Sequence, residues 1–449
     1  MRTLLWFRRD LRAEDNPLLT CKDEVLPIFI FDTEILNKLQ LDDRRVGFIY
    51  EAVIKLKMQL KAKGLDLALF YGKPLEIISL LLDSKKIEKI RACGDYDSYA
   101  RQRDLEISRL VEFEYIHGTY IFAPDEVLKD DGTPYQVFTP FYNKAKTIFT
   151  TSYMQLSLFE TQNSLIDFDY EHIHQGKRRL HVSLSSMGFT CKDHGVKDLQ
   201  SLLEDFSKNI GDYKEKRDII SSDYTSGLSV HLRFGTLGIK QLLRWLVERK
   251  KEGIDTEPFF RQLVFREFYA SLLYHFPRVQ EQNFKYRFKG VEDQQKFLAF
   301  CEAKAGLPIV DAGVQELLQT GNMHNRVRMI VASFFTKDLL LPWQWGEKFF
   351  ASHLLDYDAA SNILSWQWSA GTGVDPQPYF RIFNPYLQSK KFDKDAIYIK
   401  RWLPELLHVS PKDLHNEEYL LHVSLQNYPK PMLSHKEASK KAIESFKHN

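Results

Sequence analysis

Cysteine is scarce in this sequence and shows none of the spacings that give it a structural or metal-binding role. The four cysteines lie far apart and form no CxxC pair. Such a distribution signals neither a zinc site nor a disulfide framework. We therefore expect a protein without a metal, in a reducing, cytoplasmic compartment.

Long apolar runs and a strong net charge are also missing. No apolar run approaches the roughly 18 residues of a membrane-spanning helix. The first residues, MRTLLWFRRDLR, place charge directly after a short apolar run, which is unlike a signal peptide. The formal net charge of +2 creates no overall field that demands nucleic acid, although a local basic face is compatible with it. A membrane protein is thus disfavoured.

Aromatic residues, in contrast, are abundant. They make up 13% of the chain, which suits a protein that packs or uses flat rings. The length of 449 residues exceeds what one hydrophobic core usually serves, so we expect two domains.

The first part of the chain alternates strand and helix patterns. Five apolar runs predict buried strands, at 3–7, 24–31, 67–71, 89–92 and 113–117. Three amphipathic stretches between them predict helices, at 43–63, 74–83 and 100–111. This alternation indicates a Rossmann-like parallel sheet with helices on both faces, which we assign to an α/β domain over residues 1–125. No GxGxxG follows the first strand, which disfavours a nicotinamide enzyme.

Beyond residue 125 the alternation disappears. Residues 126–199 are rich in Ser, Thr, His, Asp and Lys, and predict a long interdomain linker with one anchored segment at 138–146. From residue 200 helical periodicity takes over, which predicts an all-α domain over 200–449. The fold class expected is α/β plus all-α.

A cluster of charge follows the first predicted strand. It consists of Arg8, Arg9, Asp10 and Arg12. Because these residues have no obvious reacting partner, we interpret them as a charged loop that bridges to another domain.

The most unusual stretch runs from Asp356 to Phe383. If its first part is helical, Asp358, Asn362 and Trp366 lie at i, i+4 and i+8 on one stripe. A buried carboxylate and amide need hydrogen-bond partners, and a heteroaromatic ring with its own donors and acceptors is one good supplier. A satisfied polar core beside packed tryptophans is the alternative, and the residues alone leave both open.

Three other segments have patterns with two interpretations each. TSGLS at 225–229 could cradle a phosphate with hydroxyl and backbone N–H groups, or could be a plain N-cap with a turn. QLVFREFY at 262–269 could grip a flat heterocycle, or could form a helix paired internally by Arg266 and Glu267. His324 could act as a general acid, although a hydrogen-bonded structural histidine is more common.

Together these segments resemble a known family. DxDxxxN followed by WQW and YFRIFNP, with WFRRDLR and MHNR before it and YPKP with HKEA after it, is similar to the photolyase/cryptochrome family, of the class I cyclobutane pyrimidine dimer photolyase type. The resemblance spans nearly the whole chain and implies an α/β domain joined to a helical FAD-binding domain. The implied activity is that of a deoxyribodipyrimidine photolyase. Reduced FAD, once excited by light, donates an electron to the dimer, the ring splits, and the electron returns.

The resemblance implies a set of flavin contacts. Arg328 and Asp356 match an ion pair beside the flavin ring, Asp358 matches a carboxylate at the ring edge, and Asn362 matches the residue that faces flavin N5. The residues implied to bind FAD are Tyr213, Thr225, Ser226, Gly227, Leu228, Ser229, Phe259, Gln262, Arg266, Tyr269, Asn325, Arg328, Asp356, Asp358 and Asn362.

UV-damaged DNA is the implied partner. Trp368 matches a wall that clamps a flipped dimer opposite Phe265, since the lesion has to leave the duplex stack to be reached. Arg326 is expected to point away from the flavin, out to a phosphate, and phosphate contacts position a strand without reading its sequence. The residues implied to contact lesion or strand are Arg217, Gln262, Phe265, Asn325, Arg326, Met329, Trp368 and Arg381.

The resemblance also implies a chain of electron carriers. Trp366 matches the flavin-proximal donor and Trp343 the middle one, while the third, surface tryptophan is missing and residues 284–290 read FKYRFKG instead. We predict that the chain ends in Tyr286, or exits elsewhere, for example through Trp345. The implied catalytic group is Trp366, Trp343, Tyr286, Asn362 and Gln262.

Two departures from the family pattern fall at its substrate contacts. Gln262 stands where the pattern has a glutamate that hydrogen-bonds the dimer, and Phe265 where it has a stacking tryptophan. An amide holds no titratable proton, and a phenyl ring offers less stacking area. Glutamine there also occurs in six-four photolyases and animal-type cryptochromes, whereas Asn362 and the intact MHNR favour repair of cyclobutane dimers. A six-four photolyase and a blue-light photoreceptor cryptochrome are therefore the alternatives.

FAD is the implied cofactor, with a possible second antenna chromophore of unknown identity. Folate is doubtful, because the polar side chains that it relies on are not found at Tyr99 and Ala100. No membrane and no obligate protein partner are implied, and we expect a monomer.

Overall fold

The apolar runs of the first part of the chain form one β-sheet. The computed structural model describes residues 1–158, 164–175, 178–191, 193–222, 224–286, 288–376, 378 and 381–447. Its strands are β1 (Arg2–Phe7), β2 (Glu24–Asp32), β3 (Ala68–Gly72), β4 (Lys89–Cys93), β5 (Glu112–Ile116), β6 (Ser164–Leu165), β7 (His172–Gln175) and β8 (Arg178–His181). The five strands predicted from the sequence are confirmed.

The sheet has the strand order β5-β4-β1-β2-β3-β7-β8, with β6 paired to β2. All pairs are parallel except β7 with β8. Successive residues of β1 enter different cores, Leu4 and Trp6 on one face and Leu5 and Phe7 on the other. A strand covered on both faces needs apolar residues at every position, which explains the unbroken run in the sequence.

The helices are α1 (Thr33–Leu36), α2 (Arg44–Ala62), α3 (Pro74–Lys85), α4 (Ser98–Ser108), α5 (Phe138–Ile148), α6 (Leu199–Asn209), α7 (Tyr213–Lys216), α8 (Ser229–Phe234), α9 (Ile239–Lys251), α10 (Glu257–His275), α11 (Gln294–Cys301), α12 (Pro308–Thr320), α13 (Asn325–Ser333), α14 (Trp343–His353), α15 (Ala359–Ala370), α16 (Pro385–Phe392), α17 (Ile397–Trp402), α18 (Pro411–Leu414), α19 (Glu417–His422) and α20 (His435–Lys447). Every described element from α6 onward is helical, as predicted. No helix of the described chain is long and apolar enough to cross a membrane.

The predicted linker contains structure that its sequence did not indicate. Three of its short segments are the strands β6, β7 and β8, and β6 pairs Ser164 and Leu165 with Glu24 and Val25 of β2. Segments of two to four residues are too short to show a clear period of two. In addition, β6 and β7 depend on the distant strands β2 and β3, and β8 pairs with its neighbour β7. The anchored segment at 138–146 is confirmed as part of α5.

The described chain divides into two compact units. Unit 1 consists of Met1–Pro134, Tyr142–Ser207 and Ser226–Tyr274, and unit 2 of Tyr135–Phe141, Lys208–Thr225 and His275–Asn449. Compact units and domains need not share limits, so the predicted domains at 1–125 and 200–449 stay a prediction.

Helices α12 to α15 supply much of the core of unit 2, where Trp366 is buried among Phe335, Phe350 and Trp343. Between α13 and α14 the chain forms one π-helical turn, Phe334–Asp338. Such turns interrupt the regular helical bonding and turn side chains in a new direction. Here the turn buries Phe335 completely and brings its ring within 5.4 Å of that of Trp366.

The charged loop after β1 is held inside unit 1. Arg8 forms a buried ion pair with Asp104, and Arg12 donates to the carbonyl oxygen of Gly235 at 3.0 Å. A Cβ on Gly235, whose φ is +68°, would lie 2.1 Å from the carbonyl oxygen of Arg9, so only glycine allows this approach. The loop therefore contacts the end of α8 within the same compact unit, and the interpretation that it bridges to another domain stays a prediction.

Candidate functional site

The predicted polar stripe exists on α15. Asp358 is the N-cap of the helix and accepts a hydrogen bond from the backbone N–H of Ser361 at 3.1 Å. Asp358, Asn362 and Trp366 are 9%, 8% and 2% exposed. Because Asp358 takes its place from a cap and the other two from helical spacing, local sequence places all three residues on one side of the helix.

Glu347 of α14 fixes the amide of Asn362. Asn362 Nδ2 donates to Glu347 Oε1 at 3.0 Å and to the Glu347 carbonyl oxygen at 3.2 Å, while the Tyr357 hydroxyl donates to the same carboxylate. Burial raises the pKa of the Glu347 carboxyl, against the lowering effect of these hydrogen bonds. Within the described chain, Asn362 Oδ1 has no hydrogen-bond partner and is left as an acceptor.

Sequence reasoning missed Glu347. It lies fifteen residues from Asn362, on a different helix, so no local spacing connects the two. The only available signal was a glutamate among the positions of α14 that are otherwise buried Trp, Gly and Phe.

Arg328 and Asp356 form the predicted ion pair, with Arg328 Nη2 at 3.0 Å from Asp356 Oδ2. Arg328 Nε also donates to the carbonyl oxygen of Met323 at 2.7 Å. The guanidinium is thereby held on two sides, and the pair is partly buried rather than sealed off. A fixed cation beside a buried carboxylate is typical of a tuned binding site more than of a stabilising contact.

In the MHNR segment, His324 has a structural role and Asn325 lies at the surface. His324 is the N-cap of α13: its Nδ1 accepts from the N–H of Arg326 at 3.1 Å, and burial lowers its pKa to about 4. The structural interpretation of His324 is therefore confirmed. Asn325 is exposed and donates to the sulfur of Met329 at 3.8 Å, so these two side chains share a face of α13.

Arg326 does not point freely outward as expected. Its Nη2 lies 2.7 Å from Asp218 Oδ2, and its guanidinium stacks on the ring of Phe392 at 4.4 Å. The side chain is only 17% exposed. Neither partner is near in sequence, which explains why the expectation was wrong about its direction.

Tyr213 and Arg217 lie together in unit 2. Tyr213 is buried, the Arg217 guanidinium lies 5.6 Å from the centre of its ring, and burial raises the pKa of the Tyr213 phenol. Thr225, also in unit 2, is exposed.

The rest of the TSGLS segment belongs to unit 1 and makes a turn without a side-chain cap. Ser226 Oγ accepts from the N–H of Leu228 at 3.3 Å, and α8 begins at Ser229 with no side-chain cap among the described residues. Gly227 has a φ of +64°, which glycine adopts without strain. The plain N-cap interpretation is therefore wrong, and the exposed Ser229 stands at the start of the helix.

One face of α10 carries the remaining predicted residues. Phe265 and Tyr269 are half-buried and meet edge to face at 4.9 Å, and Phe259 is buried against Phe206 at 4.7 Å. Gln262 is half-buried, and its amide has no hydrogen-bond partner among the described residues.

The contacts of Arg266 are with residues of unit 1. Its Nη1 donates to the carbonyl oxygen of Thr119 at 3.1 Å, the guanidinium lies over the ring of Tyr120 at 4.3 Å, and Glu267 is 3.5 Å away. The buried Glu267 accepts from the N–H of Ile121 at 2.8 Å. The internal pairing of Arg266 and Glu267 is thus confirmed, and it ties α10 to residues 119–122.

The predicted electron carriers all belong to unit 2. The Trp366 ring packs against Gly346, where a Cβ would approach it to 2.2 Å, and against Phe350 at 4.9 Å. Trp343, 3% exposed, is on α14 at i−3 from Gly346, and residues at that spacing are neighbours on a helix surface. Tyr286 is 58% exposed, and Trp345 is half-buried with its ring 5.2 Å from Phe297.

The remaining residues implied to contact DNA are at or near the surface. Trp368 is half-buried and Arg381 is exposed. Gln377, Tyr379 and Phe380, which belong to the matched stretch, lie outside the described residues.

A cavity of about 490 Å³ lies within unit 1, away from the predicted residues. It is lined by α2, α9 and residues 194–199, and none of the predicted flavin or DNA residues lines it. At the carboxyl ends of the strands, the hydroxyl of Tyr99 donates to Asp32 Oδ2 at 2.5 Å, so this side chain is engaged within the fold.

Comparisons with known proteins agree over the whole length. A family model described as DNA photolyase matches residues 3–158, and one described as the FAD binding domain of DNA photolyase matches residues 259–448. A deoxyribodipyrimidine photo-lyase of Synechococcus sp. is 34% identical over 96% of this chain and 93% of its own length. The protein of the same name from Escherichia coli is 31% identical over 99% of this chain and 98% of its own.

Solved structures give the same result. A class III photolyase from Agrobacterium tumefaciens is 30% identical with a TM-score of 0.86, covering 100% of this chain and 97% of that one. An archaeal photolyase from Sulfolobus tokodaii with two FAD molecules is 28% identical with a TM-score of 0.83, covering both chains completely. A Synechocystis cryptochrome, 23% identical with a TM-score of 0.84 over 99% of both chains, shares the fold. The chain therefore belongs to the DNA photolyase family and carries that family's FAD-binding domain.

Proposed function

We propose that this chain is a light-driven, FAD-dependent deoxyribodipyrimidine photolyase that splits cyclobutane pyrimidine dimers in DNA. The observation that carries the proposal is the Asn362 amide, held by Glu347 so that its oxygen remains an acceptor on the buried stripe of α15. Curated relatives that span the whole chain bear the name deoxyribodipyrimidine photo-lyase, which supports the same reaction.

The residues present fit a flavin. A flavin ring offers N–H donors and carbonyl acceptors along its edge, and the free Oδ1 of Asn362 and the ion pair of Arg328 with Asp356 offer the complementary groups. When bound, FAD supplies the photochemical electron. Glu347 keeps both amide hydrogens of Asn362 occupied, so the side chain presents its oxygen and not its nitrogen.

Lesion binding needs stacking and hydrogen bonding rather than acid–base catalysis. We propose that Phe265 and Trp368 each supply a ring face to the extruded dimer, and ring stacking is worth about 1–3 kcal/mol per base. Gln262, whose amide has no partner in the described chain, would hydrogen-bond the dimer. Splitting the cyclobutane ring requires no proton, so the protein contributes position and a suitable field.

The residues implied to contact the DNA strand differ in whether an existing ion pair has to break before they can bind a phosphate. Arg381 and Asn325 are exposed and are proposed to contact phosphates, and Arg217 lies beside Tyr213. Arg326 would have to leave Asp218 first, so we propose that it contributes through that ion pair rather than by a direct phosphate contact. Binding should weaken with salt in proportion to the phosphate contacts made.

Repair assays under blue light test the proposal. Purified protein with reduced flavin should split cyclobutane pyrimidine dimers in DNA back to separate pyrimidines and leave six-four lesions intact. Gln262 and Phe265 favour two alternatives: repair of six-four lesions alone would indicate a six-four photolyase, and repair of neither would indicate a photoreceptor cryptochrome.

A second chromophore is also proposed, with its identity open. The Sulfolobus tokodaii relative contains two FAD molecules, and Tyr99 is already bonded to Asp32, which does not favour a folate contact there. Absorption of cofactors extracted from denatured protein identifies what is bound. Class I membership, a monomeric state and a cytoplasmic location stay predictions, and size-exclusion chromatography tests the monomer.

A further inference from the structure

The side chain of Asn283 joins Trp343 to the loop that carries Tyr286. Trp343 Nε1–H donates to Asn283 Oδ1 at 2.8 Å. Asn283 Nδ2 donates to the carbonyl oxygens of Phe288 at 2.7 Å and Tyr286 at 3.2 Å. One amide therefore uses its acceptor on the buried indole and its donors on the loop.

The same loop is fastened to α15 by Gln367. This side chain is fully buried, and its Nε2 donates to the carbonyl oxygens of Val279 at 2.7 Å and Gln282 at 3.0 Å. Its Oε1 accepts from the N–H of Phe284 at 3.1 Å. Because Gln367 follows Trp366 directly, the loop is fixed both to the helix of one indole and to the other indole itself.

This geometry matters because of what an oxidised indole does. An indole that has lost an electron becomes far more acidic at Nε1–H, comparable to a carboxylic acid, and can give its proton to a sufficiently basic group that accepts the hydrogen bond. An amide oxygen accepts the bond but has no basic site at ordinary pH, whereas a carboxylate or imidazole would take the proton. A neutral indole radical holds the oxidising equivalent in place, since moving it on then requires a proton as well as an electron.

We propose that Asn283 is a positioning residue that keeps the Nε1 proton on Trp343 during electron transfer, so that positive charge moves through Trp343 and is not trapped there. The inference rests on the proposed electron chain. With an oxidised flavin bound and excited by light, Trp366 would give up one electron, and Trp343 would then give one electron to Trp366. The Trp343 Nε1–H bond stays intact throughout, and Trp343 then receives one electron from the next donor.

The bonds to the loop add a second consequence. Tyr286 has a φ of +60°, which a residue with a side chain rarely adopts, and its carbonyl is held by Asn283. Tyr286 is exposed, so if it is the next donor its phenolic proton passes to water when it is oxidised. The proton is therefore released at the surface end of the chain and not at its middle.

The test is transient absorption after a flash on the full-length protein with oxidised FAD. In wild type and Asn283→Gln, Trp343 should appear only as the radical cation. In Asn283→Asp it should appear as the neutral radical, and the yield of any radical beyond Trp343 should fall by about tenfold, equivalent to about 1.4 kcal/mol.

Two control variants separate the effect of a proton-accepting carboxylate at position 283 from the loss of the loop hydrogen bonds and from the added negative charge. Asn283→Leu removes the same loop bonds as Asn283→Asp but supplies no proton acceptor, and it should show no neutral radical at Trp343. Gln282→Glu places a carboxylate one residue away on an exposed side chain, and it should behave as wild type. In the dark, the ¹⁵N-indole resonance of Trp343 should show faster exchange of Nε1–H in Asn283→Leu and not in Asn283→Gln.

The possible failures are distinguishable. If Trp343→Phe leaves flavin photoreduction unchanged, the proposed chain and this inference both fall. If Trp343→Phe slows photoreduction but Asn283→Asp gives no neutral radical, or if wild type already gives one at Trp343, only the role of Asn283 is refuted.

Discussion

The helices that carry most of the predicted site, α15 in unit 2 and α10 in unit 1, support their polar side chains in different ways. On α15, Asn362 is bonded to a buried carboxylate and Asp358 caps its own helix. On α10, Arg266 is engaged by residues 119–122, while Gln262 has no partner in the described chain.

This difference separates two kinds of function. Side chains whose orientation is fixed from several directions suit electron transfer, which depends steeply on position. Side chains without partners suit a ligand that supplies the missing bonds on arrival. The two departures from the family pattern, Gln262 and Phe265, both fall on α10, where a change in side chain disturbs few contacts within the fold.

The largest effect on the α15 region is expected from Gly346→Ala, which tests how tightly Trp366 is packed. A Cβ there would lie 2.2 Å from the Trp366 ring, and the ring is already packed against Phe335 and Phe350. Overpacking of this kind should cost about 3 kcal/mol of unfolding free energy. Urea unfolding measures it, with the exposed Lys348→Ala on the same helix as a control expected within about 0.5 kcal/mol of wild type. Equal stabilities would mean that Trp366 has room to move.

His324 offers the next largest effect, through pH. Burial lowers its folded pKa to about 4, below its ordinary value of 6.5, so the unfolded chain binds more protons between these values. Stability due to this group is therefore present above pH 6.5 and lost as pH falls towards 4, by about 2 kcal/mol at pH 5. His324→Asn keeps an N-cap side chain but cannot titrate, so the difference in unfolding free energy between variant and wild type should change with pH by that amount. A constant difference from pH 7 to pH 5 would contradict burial of the neutral imidazole.

Local pattern predicted the parts of this site that local structure controls. The stripe on α15 follows from helical spacing, and the structural interpretation of His324 holds because its ring caps the helix that begins at the next residue. The ion pair of Arg328 with Asp356 was predicted only from the family resemblance. Its two residues lie 28 positions apart, so no local pattern connects them.

What the sequence could not reveal depends on tertiary packing. Glu347 reaches Asn362 from another helix, and Asp218 captures Arg326 from 108 residues away. The strands β6 and β7 form because the distant strands β2 and β3 can pair with them, and β8 then pairs with its neighbour β7; their own patterns do not indicate this.

On α10, Gln262→Glu should increase the repair of cyclobutane dimers. A carboxylate makes a charge-assisted hydrogen bond to the dimer, stronger than that of an amide by about 1 kcal/mol, which corresponds to about fivefold. Repair per absorbed photon and affinity for a dimer-containing oligonucleotide measure the effect. The exposed Gln295→Glu, which makes the same change of charge on α11, should alter neither. Unchanged or lower repair in Gln262→Glu would show that this position does not face the lesion.

The smallest effect is expected from Phe265→Trp, which restores the ring of the family pattern. Phe265 is half-buried and meets Tyr269 edge to face at 4.9 Å, so an indole can extend outward without displacing a buried neighbour. The larger face should tighten binding of a dimer-containing oligonucleotide by about twofold, or about 0.5 kcal/mol, with unfolding free energy unchanged. Because a lesion stacks on this face only when it is extruded, affinity for undamaged duplex should stay the same. Equal tightening on damaged and undamaged DNA would place Phe265 against the strand and not against the flipped dimer, and α10 would then not be the lesion-facing helix.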